Sequence, residues 1–491
     1  MQKKNIYSGV ANKSDIAVVE LDGNPSEIET GTELPTVLES LKYLFSYSDS
    51  VNKPIVVNLS LGEGNFINHA CDGESIIDLA INELIDENPS GKIVVAAAGN
   101  LGLNEMHFEA NIDYNDSANI RSTFTSTYNF SIWGEANTDF GIDFYIRTNE
   151  TDTFFLISAN TNEDKLLDTQ IILNIDGKEI NYDIILKSSN KHITNNRPNL
   201  HFKIYNEEKL QIDFTIFSYQ NTTIHGWNND RNKLYFYSDN VKNNSDYTIS
   251  CPATAENVIS VVGYFKVYDE NFQEQDATVF SSKGPLTSGK IKPDITATGN
   301  ILSALNGFIT VGAIPVYDET TDGKHKFGYA SGTSMSSPMV AGIVALMLEK
   351  KPDLTQKEAK EIIRITAIND QWTGNAKDNK NPTWGWGKIN AQAIMKYLEE
   401  TNINEELNMD LYVFPNPATD YINIIFDNPY SGNVRIDLVD AMGKTIATPI
   451  NKYCDAGIQA ISINDLDLHM GAYFLRMTTN KISQIKSFIV K

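Results

Sequence analysis

Three short runs of β-branched and small apolar residues, IAVVEL (16–21), IVVNLS (55–60) and KIVVAAAGN (92–100), mark the first hundred positions. None alternates strictly with polar residues, so each reads as a strand buried on both faces, as in parallel sheets covered by helices. Between the first two, Leu34, Val37, Leu38, Leu41, Leu44 and Phe45 recur at helical spacing, with Pro35 where a first turn tolerates it. Between the second and third, Ile76, Ile77, Ala80, Ile81, Leu84 and Ile85 repeat the pattern. Strand–helix–strand units of this kind commit the segment to an α/β fold with a parallel sheet.

The texture changes near residue 103. Asn, Asp, Thr and Ser rise, and aromatic residues alternate with polar ones in FSIWGEA, FGIDFYIRT, TFFLISA, KEINYDIIL and LQIDFTIFSY. Period-2 runs separated by turn residues predict an inserted all-β domain, a sandwich or jelly roll, over 103–249. The α/β texture returns with ENVISVVGYF (256–265) and an apolar helix near 334–350, and holds over 250–398. Thr355 and Glu358, at capping-box spacing, open a further helix. Residues 399–410, EETNINEELNMD, are polar and acidic without a strong period and read as a linker. Beyond them 411–491 is β by pattern and of a length for a small sandwich.

Charge and cysteine content exclude several classes. With 40 Lys and Arg against 63 Asp and Glu, the 491-residue chain has a net charge of −23, so nucleic acid is not an expected partner. Cys71, Cys251 and Cys454 are odd in number and far apart, which offers neither a disulfide framework nor a zinc site. No run of 18 apolar residues predicts a transmembrane helix. The opening MQKKNIYSGVANKSD is basic but has no apolar stretch after it, so no export signal is expected there.

The segment GYASGTSMSSPMVAGIVALMLE (328–349) puts a small-residue turn and then Ser334 at the start of an apolar helix. A serine there presents its Oγ on a tight turn, where the helix N-terminus stabilises negative charge developing beside it. The alternative role is an ordinary N-cap serine. The string SGTSMSSPMVAG, however, resembles the nucleophile motif of subtilisin-like serine proteases, the subtilases. On that resemblance Ser334 matches the nucleophile, and Asn100 in VVAAAGN matches the side chain that donates to the oxyanion. An amide suits that role because it donates without titrating. VVNLSLG (56–62) resembles the strand whose end, Ser60, Leu61 and Gly62, pairs with extended substrate, while Ala98 and Gly99 resemble the specificity-pocket wall. FSSKGP, KPDITATG and GWGKINAQAI resemble later core segments, so the likeness covers about 9–102 and 250–398, interrupted by a β insertion as in the spore-germination branch.

The resemblance implies a subtilisin-like parallel sheet with flanking helices, formed by 1–102 and 250–398, and a secreted or cell-surface endopeptidase acting on proteins or peptides. It also exposes a departure. A serine triad needs a base beside the nucleophile and a carboxylate that fixes the base's tautomer. Subtilases carry these as an Asp ending the first core strand and a His in an HGTH-type helix start, and neither motif is present. GVANKSDIAVVEL (9–21) resembles the stretch following the His helix, so the chain is expected to begin just downstream of both. His69, His107, His192, His201, His225, His325 and His469 lack the required context, and Asp15 is expected at the surface. In the subtilase sheet the Asp strand lies between the counterparts of IAVVEL and IVVNLS, so a gap is expected there, to be filled by a missing N-terminal segment or a complementary chain.

VFPNPATDYINI (413–424), followed by VDAMGK, GIQAISINDL, GAYFLRM and KSFIVK, resembles the C-terminal sorting domain of type IX secretion cargo. That implies the secretion machinery as a partner. The rival expectation is a pseudoprotease or surface binding protein whose β domain recognises a partner or glycan, with Trp133 and Trp227 as stacking candidates or as core. Esterase activity from Ser334 without its base is a weaker third. No cofactor is expected; family members often bind calcium, but no acidic cluster has a diagnostic spacing.

Overall fold

The burial of apolar stripes organises the first α/β segment. In the computed structural model, α1 (Leu34–Val51) buries Val37, Leu41, Leu44 and Phe45, and α2 (Ile76–Glu87) buries Ile77, Ile81, Leu84 and Ile85. Burial of each such side chain stabilises by about 1.5–3 kcal/mol. Both helices cover β1 (Ile55–Leu59) and β2 (Lys92–Ala97), which pair in parallel. Ser75 caps α2 in a capping box with Asp78. The structure describes residues 9–21, 34–62, 66, 69–88, 90–124, 127–148, 152–175, 177–205, 210–228, 234–236, 238–268, 274–305, 314–317, 326–376, 378–406, 411–428, 432–455, 457–464, 468–479 and 483–491.

The chain then forms β3 (His107–Ile112), β4 (Ser117–Phe124), β5 (Thr127–Trp133), β6 (Gly141–Arg147), β7 (Thr153–Asn160), β8 (Lys165–Ile175), β9 (Lys178–Ser189), β10 (Asn199–Tyr205), β11 (Leu210–Phe217), β12 (Thr222–Asn228), β13 (Leu234–Phe236) and β14 (Val241–Asn244). They make two antiparallel sheets, β14-β3-β12-β5-β10-β9-β8 and β13-β4-β11-β6-β7. One core fills the space between them, with Phe144 stacked on Phe202 at 3.9 Å and Phe130 beside Phe214. Trp133 and Trp227 are fully buried, but against the α/β segment. Their indole N–H groups donate to the carbonyls of Phe66 and Tyr247, which removes both from any role in sugar stacking.

β15 (Ile259–Tyr268) returns to the parallel sheet beside β2 and extends into a hairpin with β16 (Glu274–Ala277), while β17 (Ile295–Thr298) pairs in parallel with β15. A small antiparallel sheet follows, β18 (Asn300–Leu305), β19 (Ile314–Tyr317) and β20 (Lys326–Ser331), which the sequence reading did not anticipate. Helix α3 (Thr333–Lys350) packs across β1, β2, β15 and β17 and buries Val340, Ile343, Val344, Met347 and Leu348. Its apolar surface extends around the helix, as a helix inside a larger core requires. Thr355 and Glu358 form the expected capping box at the start of α4 (Gln356–Thr366).

One expectation fails, and one helix was not foreseen. IAVVEL (16–21) is not a strand: residues 15–21 join no ladder, and Ile16 and Val18 are 87% and 84% exposed. The reason is the lack of a neighbour, since β1 ends the sheet among the described residues. The proposed linker 399–410 is helical through Glu406, as α5 (Ala391–Glu406); residues 407–410 lie outside the described set. Glutamate-rich sequence is a good helix former without any apolar period. By contacts the chain divides into two units, 1–395 and 396–491.

In the second unit β21 (Leu411–Phe414), β22 (Tyr421–Asn428), β23 (Gly432–Asp440), β24 (Thr445–Cys454), β25 (Gly457–Asn464), β26 (Gly471–Thr479) and β27 (Ser483–Val490) form two sheets, β21-β22-β25 and β24-β23-β26-β27. Ile422, Ile424, Phe426, Ile436, Leu475 and Phe488 close a core of their own.

Candidate active site

Gly332, at φ +142°, lets the chain turn from β20 into α3, a conformation an L side chain resists. Thr333 and Ser334 therefore open the helix, where the first N–H groups lack intrahelical acceptors. The Thr333 N–H is satisfied by the Asn100 side-chain oxygen at 2.9 Å, and the Thr333 hydroxyl donates to the same oxygen at 3.1 Å. Two donors on one atom identify it as Oδ1, so the Asn100 NH₂ is left to point elsewhere. Asn100 is exposed, and the Ser334 N–H takes no partner among the described residues. Two donors are thus available beside a half-buried Ser334 hydroxyl.

A polar relay fixes that hydroxyl's surroundings. Ser337 Oγ donates to Asn58 Oδ1 at 2.6 Å, Asn58 Nδ2 donates to Ser60 Oγ at 2.9 Å, and Ser60 Oγ donates to the Ser334 carbonyl at 2.9 Å. The Ser334 Oγ faces the Ser60 carbonyl at 3.5 Å. Gly62 and Gly99 both converge on Ser250: a Cβ on Gly62 would meet Ser250 Cβ at 2.9 Å, and one on Gly99 would meet Ser250 Oγ at 2.4 Å. Ser60, Gly62 and Asn100 are exposed, Leu61 and Gly99 half-buried and Ala98 buried, and the ends of β1 and β2 meet the start of α3 through Ser60 and Asn100. Asn58, Thr333, Ser337 and Ser250 were missed by sequence reasoning. Asn58 alone carried a signal, as a polar residue inside an otherwise apolar strand.

None of the six described histidines hydrogen-bonds to Ser334. His69 is buried and its Nδ1 accepts from the Cys71 N–H. His107 Nε2 and His225 Nδ1 share a hydrogen bond of 3.0 Å inside the β segment. His192 meets Thr194, His201 lies edge-on to Trp133, and His469 belongs to the second unit. His325 lies outside the described residues. Asp15 is exposed and pairs with Lys53 at 2.6 Å. Among the described residues no group of three or more His, Cys, Asp or Glu is placed to hold a metal ion. No described helix is long and apolar enough to cross a membrane.

Fold and site together define a protein of the serine-peptidase class built on the subtilisin sheet, and comparison with known families agrees. The subtilase family profile matches residues 1–387, and the secretion system C-terminal sorting domain profile matches 412–491. The chain belongs to the subtilase family, and its sorting domain marks it for secretion or the cell surface. It is 36% identical over 148 residues to serine protease AprX of Bacillus subtilis, covering 30% of this chain and 31% of that protein. It is 41% identical over 93 residues to the minor extracellular protease Vpr of the same organism, covering 18% of this chain and 10% of that protein. The chain thus spans about a third or less of the length of these relatives. The Clostridium perfringens CspB protease shares the fold at a TM-score of 0.53 and 21% identity, over 74% of this chain and 72% of that one.

Proposed function

We propose that Ser334 is the nucleophile of a serine endopeptidase, that the Asn100 amide and the Ser334 N–H hold the oxyanion, and that Ser60–Gly62 and Ala98–Gly99 line the substrate cleft. The observation that carries this reading is the double acceptor contact of Asn100 on Thr333, which leaves its donor side free next to Ser334. The mechanism asks Ser334 Oγ to attack a peptide carbonyl and a base to take its proton. We place that base and its carboxylate on a segment outside 1–491, because the sequence holds neither family motif and none of the six described histidines reaches Ser334. Without them this chain is inactive: loss of the histidine in subtilisin costs about 2 × 10⁶ in turnover.

Strands β3, β12, β5 and β10 in one sheet and β4, β11, β6 and β7 in the other follow the strand order of a jelly roll, with the β8–β9 hairpin as an addition. We read 103–249 as that domain, inserted between the two parts of the catalytic core. The same isolation of Ser334 from the described histidines supports the rival reading, a binding protein on a protease scaffold. Labelling with a serine-reactive phosphonate, after adding any polypeptide that carries the absent Asp and His, separates them. The catalytic reading expects label on the wild type and none on Ser334→Ala. Equal labelling of both would remove Ser334 from the role, and casein left intact by a fully complemented chain would favour the binding protein.

A further inference from the structure

Three of the chain's seven histidines and two of its five tryptophans share one face of the seven-stranded sheet. Ladder register sets Asn244, His107, Trp227, Ser131, His201 and Lys187 in one row across β14, β3, β12, β5, β10 and β9. Glu109, His225, Trp133 and Asn199 form the row beside it. The opposite face, offset by one residue along each strand, holds the core shared with the second sheet. On the histidine-bearing face the α/β segment covers both tryptophans, and the three histidines are buried. Phe66 stacks on Trp227 with ring centres 4.7 Å apart, and Tyr247 lies 4.8 Å from His107 and 5.1 Å from His225. Each indole N–H crosses the seam, Trp133 to the Phe66 carbonyl at 2.8 Å and Trp227 to the Tyr247 carbonyl at 2.9 Å.

The histidines fit this seam as neutral rings. Asn244 Oδ1 accepts the Asp246 N–H at 3.0 Å, which fixes the same oxygen as acceptor for His107 Nδ1 at 2.8 Å. Neutral His107 therefore carries its proton on Nδ1, and its bare Nε2 accepts from His225 Nδ1 at 3.0 Å. A second proton on His107 would set N–H against N–H. His201 lies edge-on to Trp133 at 5.8 Å, with Lys187 in register and His192 at 5.1 Å from the same indole. Glu109 is half-buried in register with His225, and Lys242 is its partner on the other side. Across the seam Asp72 is taken by Asn195 at 2.6 Å and Arg197 at 3.6 Å, and Asp78 by Ser75 and Thr254, with His69 acting on its charge. Burial holds His107 and His201 at about 3 and lowers His225 and His192 as well. Lys187 adds to this at His201 and His192, Arg197 adds to it at His225, and Asp72 opposes it at His192.

We propose that this seam is an acid-opened joint, at which the seven-stranded sheet parts from Phe66 and Tyr247 while the sandwich core and the parallel sheet each stay folded. Histidine is the side chain whose charge changes between pH 5 and 8. A released ring titrates near 6.5 and a closed one near 3, so the joint is fully stable above pH 6.5 and is lost progressively as pH falls toward 3. At pH 5 each of His107 and His201 favours the open form by about 30-fold, or about 10³-fold together. Phe66 lies just past Gly62 in the chain and Tyr247 just before Ser250, and a Cβ on Gly62 would meet Ser250 Cβ at 2.9 Å. Opening releases both neighbours, so acid reversibly loosens the end of β1 beside Ser334. That consequence rests on the substrate cleft proposed above, whereas the opening itself does not.

The full chain with isotopically labelled tryptophan is followed by NMR, with Trp133→Phe and Trp227→Phe identifying the two indole N–H signals. Indole exchange is expressed relative to free indole at the same pH. Protection of both indoles is expected to fall about 10³-fold from pH 7 to pH 5 and to return at pH 7, while the backbone amides of β2, β4 and β6 keep theirs. His201→Phe keeps a ring on Trp133 but cannot titrate, so it leaves a fall of about 30-fold. Asn244→Asp sets a carboxylate against His107 Nδ1, which gives the charged ring a partner inside the closed seam and also reduces the fall. A wild-type fall of less than tenfold overturns the proposal. So does loss of indole protection only together with that of β4 and β6, which is ordinary acid unfolding, and so does a fall that both variants leave unchanged. None of these signals involves Ser334, so failure of the joint and failure of phosphonate labelling are told apart.

Discussion

The side-chain oxygen of Asn100 accepts both the N–H of Thr333 at 2.9 Å and its hydroxyl at 3.1 Å. One residue thereby sets which face of the amide is offered to the cleft. In the chain supplied with its base, Asn100→Ala is expected to lower the phosphonate labelling rate by about 10² to 10³, the cost of losing such a donor in subtilisin. Thr333→Val keeps the N–H but loses two neutral hydrogen bonds, the hydroxyl's donation to Asn100 and its acceptance from the Gly99 N–H at 3.2 Å; only the first orients the amide, so the effect on labelling should be about 2- to 12-fold. Equal effects from the two would mean that Asn100 acts through packing and not as a donor.

Gly99 sits at φ +107°, with Ser250 Oγ 2.4 Å and Ser282 Oγ 2.6 Å from the position a Cβ would take. Gly99→Ala should therefore destabilise by about 2–4 kcal/mol, backbone strain and crowding together. Gly177, at φ +80°, would meet nothing within 4 Å, and Gly177→Ala should cost only the strain, about 1 kcal/mol. Urea midpoints of the two variants measure the difference; similar values would show that Ser250 and Ser282 move aside freely.

What was legible in the sequence follows from where the signal resides. The helices at 34–51 and 76–87, the Thr355 capping box and the strands at 55–59 and 92–97 announce themselves through local periodicity and caps, which short windows contain. IAVVEL misled because its composition is that of a strand, whereas forming one needs a neighbouring edge that composition does not supply. Residues 399–406 misled in the opposite sense, since an apolar period is sufficient for a helix but not necessary. At the proposed site, the placing of Ser334 at a helix start and of Asn100 after a strand was readable from the motifs. The Ser337–Asn58–Ser60 relay was not, because it joins side chains 279 positions apart through sheet and helix packing.

Asp294 is fully buried and receives Lys292 at 2.8 Å, Lys380 at 2.6 Å, Lys360 at 3.4 Å and the Ser260 N–H at 2.9 Å. Burial opposes its charge, but the three ammonium groups prevail and hold the carboxyl well below the usual range. Asp294→Asn leaves those ammonium groups without a counter-charge and should cost about 3–5 kcal/mol. Thermal melts at neutral pH check this, and a loss under 1 kcal/mol would mean the lysines reach water instead.

Acid stability should be set in large part by buried histidines, of which His107 and His201 are two and His225, which burial also holds well below its usual value, is a third. Burial pushes His107 and His201 down to about 3, from an unfolded value of 6.5. His107 is enclosed by His225, Asn244 and Tyr247, and His201 has Trp133 at its edge with Lys187 and His192 acting on its charge. Between 6.5 and about 3 the unfolded chain binds more protons than the folded one, so stability is full above pH 6.5 and falls as pH drops toward 3. Each residue contributes about 1.4 kcal/mol per pH unit in that window. Urea unfolding of the wild type should therefore be easier at pH 5 than at pH 7. His107→Gln lowers stability at both pH values, because it disturbs the bonds to Asn244 and His225, yet it should reduce the loss between them. A wild-type midpoint that does not change from pH 7 to pH 5 would show that neither ring is held neutral by the fold.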